Sequence, residues 1–188
     1  MSHKPVQGLL FAIETGLRKE EQFRLLWTDI DLQSRRLKVR AETTKGKKPR
    51  FVPLLPRVLA LLREMVNEAT GLYVFTTYRG RPYSPKSPYF YEALQTAVRR
   101  ANKARVAKGC PLIPHVEWHD LRRTCGCRLL QDRGLSMEEV SKWLGHSSVK
   151  VTERHYAFLH IEHLQEAVER SEARVIALRN LRTGKTVH

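Results

Sequence analysis

Six residues, in fixed order along the sequence, carry side chains suited to handling an anionic oxygen centre: Arg18, Lys45, His119, Arg122, His146 and Tyr156. An arginine guanidinium is a planar, permanently charged fork that binds oxyanions through paired hydrogen bonds. A histidine accepts or donates a proton near neutral pH. A tyrosine phenol, with a free pKa of about 10, becomes a useful nucleophile only beside cations and a proton acceptor. Taken singly, each has a bland explanation: a solvated surface charge, a hydrogen-bonded histidine near a helix end, a core aromatic with a wet hydroxyl. The ordered set is what points to chemistry. His119 and Arg122 are three residues apart on a helical stretch and so share one face. Arg18 follows the turn Thr15-Gly16-Leu17, His146 follows Leu144-Gly145, and no other tyrosine lies between Tyr91 and Tyr156.

The elements that must position these residues are mostly helical. Val6 to Ile13 reads as a buried helix stopped near Gly16, and a short helix is expected from Lys19 to Trp27. Asp29-Ile-Asp-Leu, Arg36-Leu-Lys-Val-Arg-Ala and Arg50-Phe-Val-Pro-Leu read as three short strands, the last two joined by a polar loop from Thr43 to Pro49 that carries Lys45. Pro56 to Thr70 is amphipathic, with a proline in its first turn and Gly71 after it. Tyr78 to Pro88 is a loop, and helices follow over Tyr89 to Lys108 and Asp120 to Asp132, the latter closed by Gly134. Ser136-Met-Glu-Glu139 is a capping box that starts a helix running to Gly145. A short helix over Val149 to Phe158 carries Tyr156, and a final amphipathic one spans Ile161 to Leu181. The fold class is α+β, mostly helical, with one small three-stranded antiparallel sheet.

Composition supplies the partner. Thirty-four Lys and Arg against nineteen Asp and Glu leave a net charge of +15, which makes nucleic acid the first partner to consider, ahead of an anionic membrane surface. The charge is clustered: between Arg35 and Arg50 the only acid is Glu42, and Arg99, Arg100, Lys103, Arg105 and Lys108 form a second basic group. Such groups can line a groove and neutralise phosphates. The candidate DNA-binding residues are Arg36, Lys38, Arg40, Lys47, Lys48, Arg50 and Arg123. The three cysteines, Cys110, Cys125 and Cys127, are no disulfide framework and fit a reducing compartment. Cys125 and Cys127 point to different faces of a helix, so core or free thiols are favoured over a zinc site with His115 and His119. No apolar run approaches the ~18 residues of a membrane span, and no signal peptide is visible.

The ordered set and its flanking words resemble the phage-integrase family of tyrosine recombinases. The words are Thr15-Gly-Leu-Arg-Lys-Glu-Glu21, Leu26-Trp-Thr-Asp-Ile30, Lys45-Gly-Lys-Lys-Pro-Arg-Phe-Val-Pro-Leu54, Trp118-His-Asp-Leu-Arg-Arg-Thr124, Leu144-Gly-His-Ser-Ser148 and Thr152-Glu-Arg-His-Tyr-Ala157. The resemblance covers Leu9 to Leu159 and implies transfer of a DNA phosphodiester, with charge spread over its non-bridging oxygens. It implies Tyr156 as nucleophile forming a 3′-phosphotyrosine, Arg18 and Arg122 as the forks on the phosphate, and His146 as a further hydrogen bond to it. His119 is then the candidate proton acceptor and Lys45 the candidate acid for the leaving 5′ oxygen. Glu21 would support the site by orienting cationic groups. No metal or other cofactor is required, because arginines supply the electrostatic stabilisation. Two alternatives stand: Lys47 or Lys48 in place of Lys45, and a register one residue shorter that would put His155 where some members have the tyrosine.

The resemblance further implies a catalytic domain over residues 1–159, a C-terminal segment over 160–188 that is exchanged between protomers or left as an unpacked tail, and a homo-tetramer on two duplexes. Because Arg18 lies so near Met1, the family's N-terminal core-binding domain is expected to be absent, and isolated binding to be weak and salt-sensitive. A cytoplasmic, nucleoid-associated protein of a prokaryote or phage is expected. Three rivals remain: a type IB topoisomerase, which would relax supercoils without strand exchange; a non-catalytic DNA-binding protein, which would trap no covalent adduct; and a metal-dependent nuclease, which EDTA would silence.

Overall fold

The computed structural model describes residues 4–44, 48–69, 71–77 and 79–159. Its helices are α1 (Lys4–Thr15), α2 (Lys19–Phe23), α3 (Pro56–Asn67), α4 (Tyr89–Val106), α5 (Trp118–Gln131), α6 (Met137–Leu144) and α7 (residues 149–159). The strands β1 (Ile30–Asp31), β2 (Arg36–Val39) and β3 (Arg50–Pro53) form one antiparallel sheet in sequence order. Leu37 pairs with Ile30 on one side and Val52 on the other, and Val39 pairs with Arg50. Because strand side chains alternate, Leu37, Val39 and Val52 enter the core while Arg36, Lys38 and Phe51 face outward.

Helix α1 is central, packing against α3, α4 and α5, while α6 bridges α5 and β3. Phe11, Phe23, Leu37, Leu62, Phe90, Leu129 and Leu144 are among the fully buried side chains, each contributing roughly 1.5–3 kcal/mol of transfer free energy. Gly16 ends α1 at φ 66°, and its N–H donates to the Ala12 carbonyl at 2.9 Å. A Cβ at Gly16 would overlap the Leu144 side chain and crowd Cys125, so both backbone sign and space demand glycine there. At α6 the capping box forms: Ser136 Oγ accepts from the Glu139 N–H at 3.2 Å, and the Ser136 N–H donates to Glu139 Oε2 at 2.8 Å.

The helix expected over Lys19 to Trp27 stops at Phe23. Non-local pairing takes the remainder: the Trp27 N–H donates to the Leu72 carbonyl at 2.9 Å, and the Val74 N–H donates to the Leu25 carbonyl at 3.0 Å. The last expected helix, over Ile161 to Leu181, and the whole segment 160–188 lie outside the described residues. Among the described residues, no helix is long and apolar enough to cross a membrane.

Candidate active site

The site is assembled on the C-terminal end of α6. Its last carbonyls have no partner within the helix and form the negative end of its dipole. Each of three successive carbonyls takes one arginine. Arg50 Nε donates to Trp143 O at 3.0 Å, Arg122 Nη2 to Leu144 O at 2.6 Å, and Arg18 Nη2 to Gly145 O at 3.2 Å. Gly145 turns the chain at φ 70°, and a Cβ there would collide with the Arg50 guanidinium.

Arg122 is the most enclosed of the three, 3% exposed, and its Nη1 donates to the Gly16 carbonyl at 2.6 Å. Burial, then the nearby positive charge of Arg18, lower its pKa to about 9. It remains a cation at neutral pH. Arg18 caps α2, with its side chain 28% exposed toward solvent.

Glu21 joins Arg18 to Arg50. Its carboxylate has no exposed surface and accepts four hydrogen bonds, from Arg18 Nη1 at 2.9 Å, the Arg18 N–H at 2.9 Å, Arg50 Nη1 at 2.9 Å and Arg50 Nη2 at 2.8 Å. Burial pushes its carboxyl upward, but the Arg50 fork and then Arg18 outweigh this and hold it at about 2. Glu21 is therefore an anion under all ordinary conditions. One carboxylate among three guanidiniums leaves a net positive locus.

His146 is neutral at pH 7. Partial burial, followed by Arg122 and Arg18, pushes His146 down to about 4. Its Nδ1 lies 2.8 Å from Oγ1 of the buried Thr152, one turn into α7. His119 stands exposed on the first turn of α5. The desolvation it does experience, then Arg122, Arg123 and His155, lower its pKa, while Asp120 pulls the other way. The His155 ring lies 6.0 Å from that of His146 and 6.4 Å from that of Tyr156.

Tyr156 is 2% exposed, its hydroxyl resting against Gly126, one turn along α5 from Arg122. A methyl group at position 126 would overlap that hydroxyl. Burial, then the neighbouring Cys127, raises the phenol to about 12, with Arg122 opposing. In this arrangement the tyrosine is protonated and packed away, so an attack requires it to leave Gly126 or to gain further positive charge.

The structure thus brings together Arg18, Glu21, His119, Arg122, His146 and Tyr156. Lys45 and Lys47 lie outside the described residues. Of the expected DNA-facing residues, Lys38 and Lys48 are exposed, Arg123 pairs with Asp120 at 3.4 Å, and Arg36 pairs with Asp31 at 3.7 Å while lying 5.0 Å from the Phe51 ring centroid. Arg40 pairs with Asp29 at 3.1 Å and with the exposed Glu42 at 3.2 Å, and donates to the Arg24 carbonyl at 2.7 Å. Arg50 departs from the expectation. It is not a surface cation but sits 11% exposed beneath Arg18, because it shares the inward face of β3 with Val52. Gly126 and Thr152 were not singled out by the sequence. A glycine four residues after Arg122 on one helix face was the available signal for the first. Nothing in local periodicity signals the second.

A family model described as the phage integrase family matches residues 3–163. The chain is 27% identical over 203 residues to the tyrosine recombinase XerC-like protein of Caldanaerobacter subterraneus subsp. tengcongensis, an alignment covering 89% of this chain and 49% of that protein. It is 30% identical over 161 residues to the tyrosine recombinase XerC of Xanthomonas campestris pv. campestris, covering 85% of this chain and 46% of the relative. Among solved structures, the Tn1549 transposon integrase in complex with transposon right end DNA superposes with a TM-score of 0.65 at 19% identity, covering 87% of this chain and 59% of the other. The chain spans about half the length of the curated relatives it matches.

Proposed function

Because the chain belongs to the phage integrase family, we propose that it is the catalytic part of a tyrosine-type site-specific recombinase, cutting and rejoining double-stranded DNA through a 3′-phosphotyrosine at Tyr156. The observation that carries this reading is the cluster of Arg18, Arg122 and the neutral His146, with the buried Tyr156 beside Arg122. The Tyr156 oxygen attacks the phosphorus and displaces the 5′ oxygen of the next nucleotide. Arg18 and Arg122 each retain unspent N–H donors for the non-bridging oxygens, and their charge stabilises the transition state. His119, exposed and with a lowered pKa, accepts the phenolic proton. If the Thr152 hydroxyl donates to His146 Nδ1, the ring carries its proton on Nε2 and donates to the phosphate. Lys45 protonates the leaving 5′ oxygen, a role resting on its place in the sequence. Attack on the phosphotyrosine by a 5′ hydroxyl from a second duplex completes exchange.

The same reading makes the partner double-stranded DNA, the assembly a homo-tetramer on two sites, and the compartment the cytoplasm of a bacterium. A pool of nicked duplexes of random sequence tests it. Wild type should form a covalent adduct that survives denaturation and persists in EDTA, while Tyr156→Phe should bind without trapping. Equal trapping by both would overturn the nucleophile assignment, and trapping by neither would favour a DNA-binding module.

A further inference from the structure

Arg50 is the one guanidinium of the α6 cluster without an assigned role in the cleavage chemistry. Among the described basic residues between Arg35 and Arg50 it is the least available to a duplex, with an 11% exposed side chain whose three nitrogens are all engaged: Nε with Trp143 O, and Nη1 and Nη2 with the two Glu21 oxygens. We propose that Arg50 is a positioning residue for the cleavage reaction, holding Glu21 so that Arg18 stays free to bind the phosphate. This rests on the functional reading above.

The argument is one of acceptor capacity. A carboxylate offers about four lone-pair sites. Arg50 fills two of the Glu21 sites, and the Arg18 N–H and Nη1 fill the others. Glu21 is fully enclosed, so an emptied site cannot be satisfied by solvent and is costly. The nearest cation with spare donors is Arg18. Without Arg50, the carboxylate draws Arg18 from a single side-chain hydrogen bond into a two-point grip and turns the fork away from the substrate. Arg18 would remain in place as a charge yet be lost as a phosphate ligand. The effect falls on reaction rate rather than on DNA affinity. Lysine cannot replace Arg50, since a point charge does not span two carboxylate oxygens and the Trp143 carbonyl together.

The test compares wild type, Arg50→Gln, Arg50→Lys, Glu21→Gln and Glu21→Gln/Arg50→Gln for DNA dissociation constant and for single-turnover adduct formation on nicked DNA at saturating concentration. Expected for Arg50→Gln is a rate at least about tenfold below wild type with the dissociation constant within about twofold. The double variant, which removes the unbalanced carboxylate along with Arg50, should react at least about threefold faster than the product of the two single effects predicts. Should Arg50→Gln fail to fold, Arg50→Lys carries the same comparison, with an expected loss of at least about threefold. An Arg50 variant with weakened DNA binding and an unchanged saturating rate would overturn the proposal, as would multiplicative behaviour of the pair. A wild type that traps no adduct sinks the functional reading itself, and this proposal with it.

Discussion

Replacing Gly126 with alanine sets two opposed effects against each other. Gly126 is in the interior of α5, where alanine ordinarily stabilises a helix by about 0.5–1 kcal/mol. Here, however, the added methyl would occupy the position of the Tyr156 hydroxyl. The phenol cannot yield slightly, because the overlap involves the ring end as well as the oxygen. It must swing out, giving up the burial of a side chain now 2% exposed, which costs about 1.5–3 kcal/mol. The net effect is a loss of roughly 0.5–2.5 kcal/mol, or a fall in Tm of roughly 1–10 °C for a domain of this size. A second signature follows from ionisation. The phenol held near 12 returns toward its free value of about 10 once displaced. Ultraviolet titration from pH 9 to 10.5 should therefore show one additional ionising tyrosine in Gly126→Ala, and Gly126→Ala/Tyr156→Phe should lose it. A raised Tm with an unchanged titration would refute the placement of Tyr156 over Gly126.

Acid should destabilise the fold in two overlapping steps. Glu21 and His146 both bind protons more weakly folded than unfolded, at about 2 against 4.5 and about 4 against 6.5. Their contribution is present at neutral pH; it is lost through 6.5 to 4 for His146 and through 4.5 to 2 for Glu21. Urea midpoints measured downward from pH 7 should decline accordingly, and His146→Gln should flatten the upper window. On duplex DNA, Arg36→Gln and Lys38→Gln should each reduce the slope of log affinity against log salt by about one, whereas Arg50→Gln should leave it unchanged. Ser136→Ala removes the α6 cap and should cost about 1 kcal/mol by urea denaturation, without altering the DNA salt slope.

Much of the site was legible because its signals are local. The His119–Arg122 spacing, the Gly16 and Gly145 stops and the Ser136 cap each depend on residues a few positions apart, and each is found as expected. The strand at Arg36-Leu-Lys-Val is also a local signal, and there Arg36 and Lys38 face outward while Leu37 and Val39 are buried. The same logic, applied to Arg50-Phe-Val-Pro, would have put Arg50 inward with Val52. Clustered charge obscured it, since a buried arginine is acceptable only when a carboxylate and carbonyls wait for it, and those come from α2 and α6. The early end of α2 was illegible for a related reason: the pairing of Trp27 with Leu72 and of Leu25 with Val74 is a distant contact. Thr152 meets His146 through the turn between α6 and α7 rather than through any repeat in sequence.

The three arginines are held by the backbone at Trp143, Leu144 and Gly145, not by the side chains of those residues. Substitution at 143 or 144 that preserves the helix leaves all three acceptors where they are. Inserting or deleting a single residue in α6 does not, for it turns the end of the helix by about 100° and shifts it by about 1.5 Å. All three guanidiniums would lose their acceptors together. The acceptors thus fix the length of this stretch, while packing separately fixes its composition, since Leu144 is fully buried and Gly145 has no room for a Cβ.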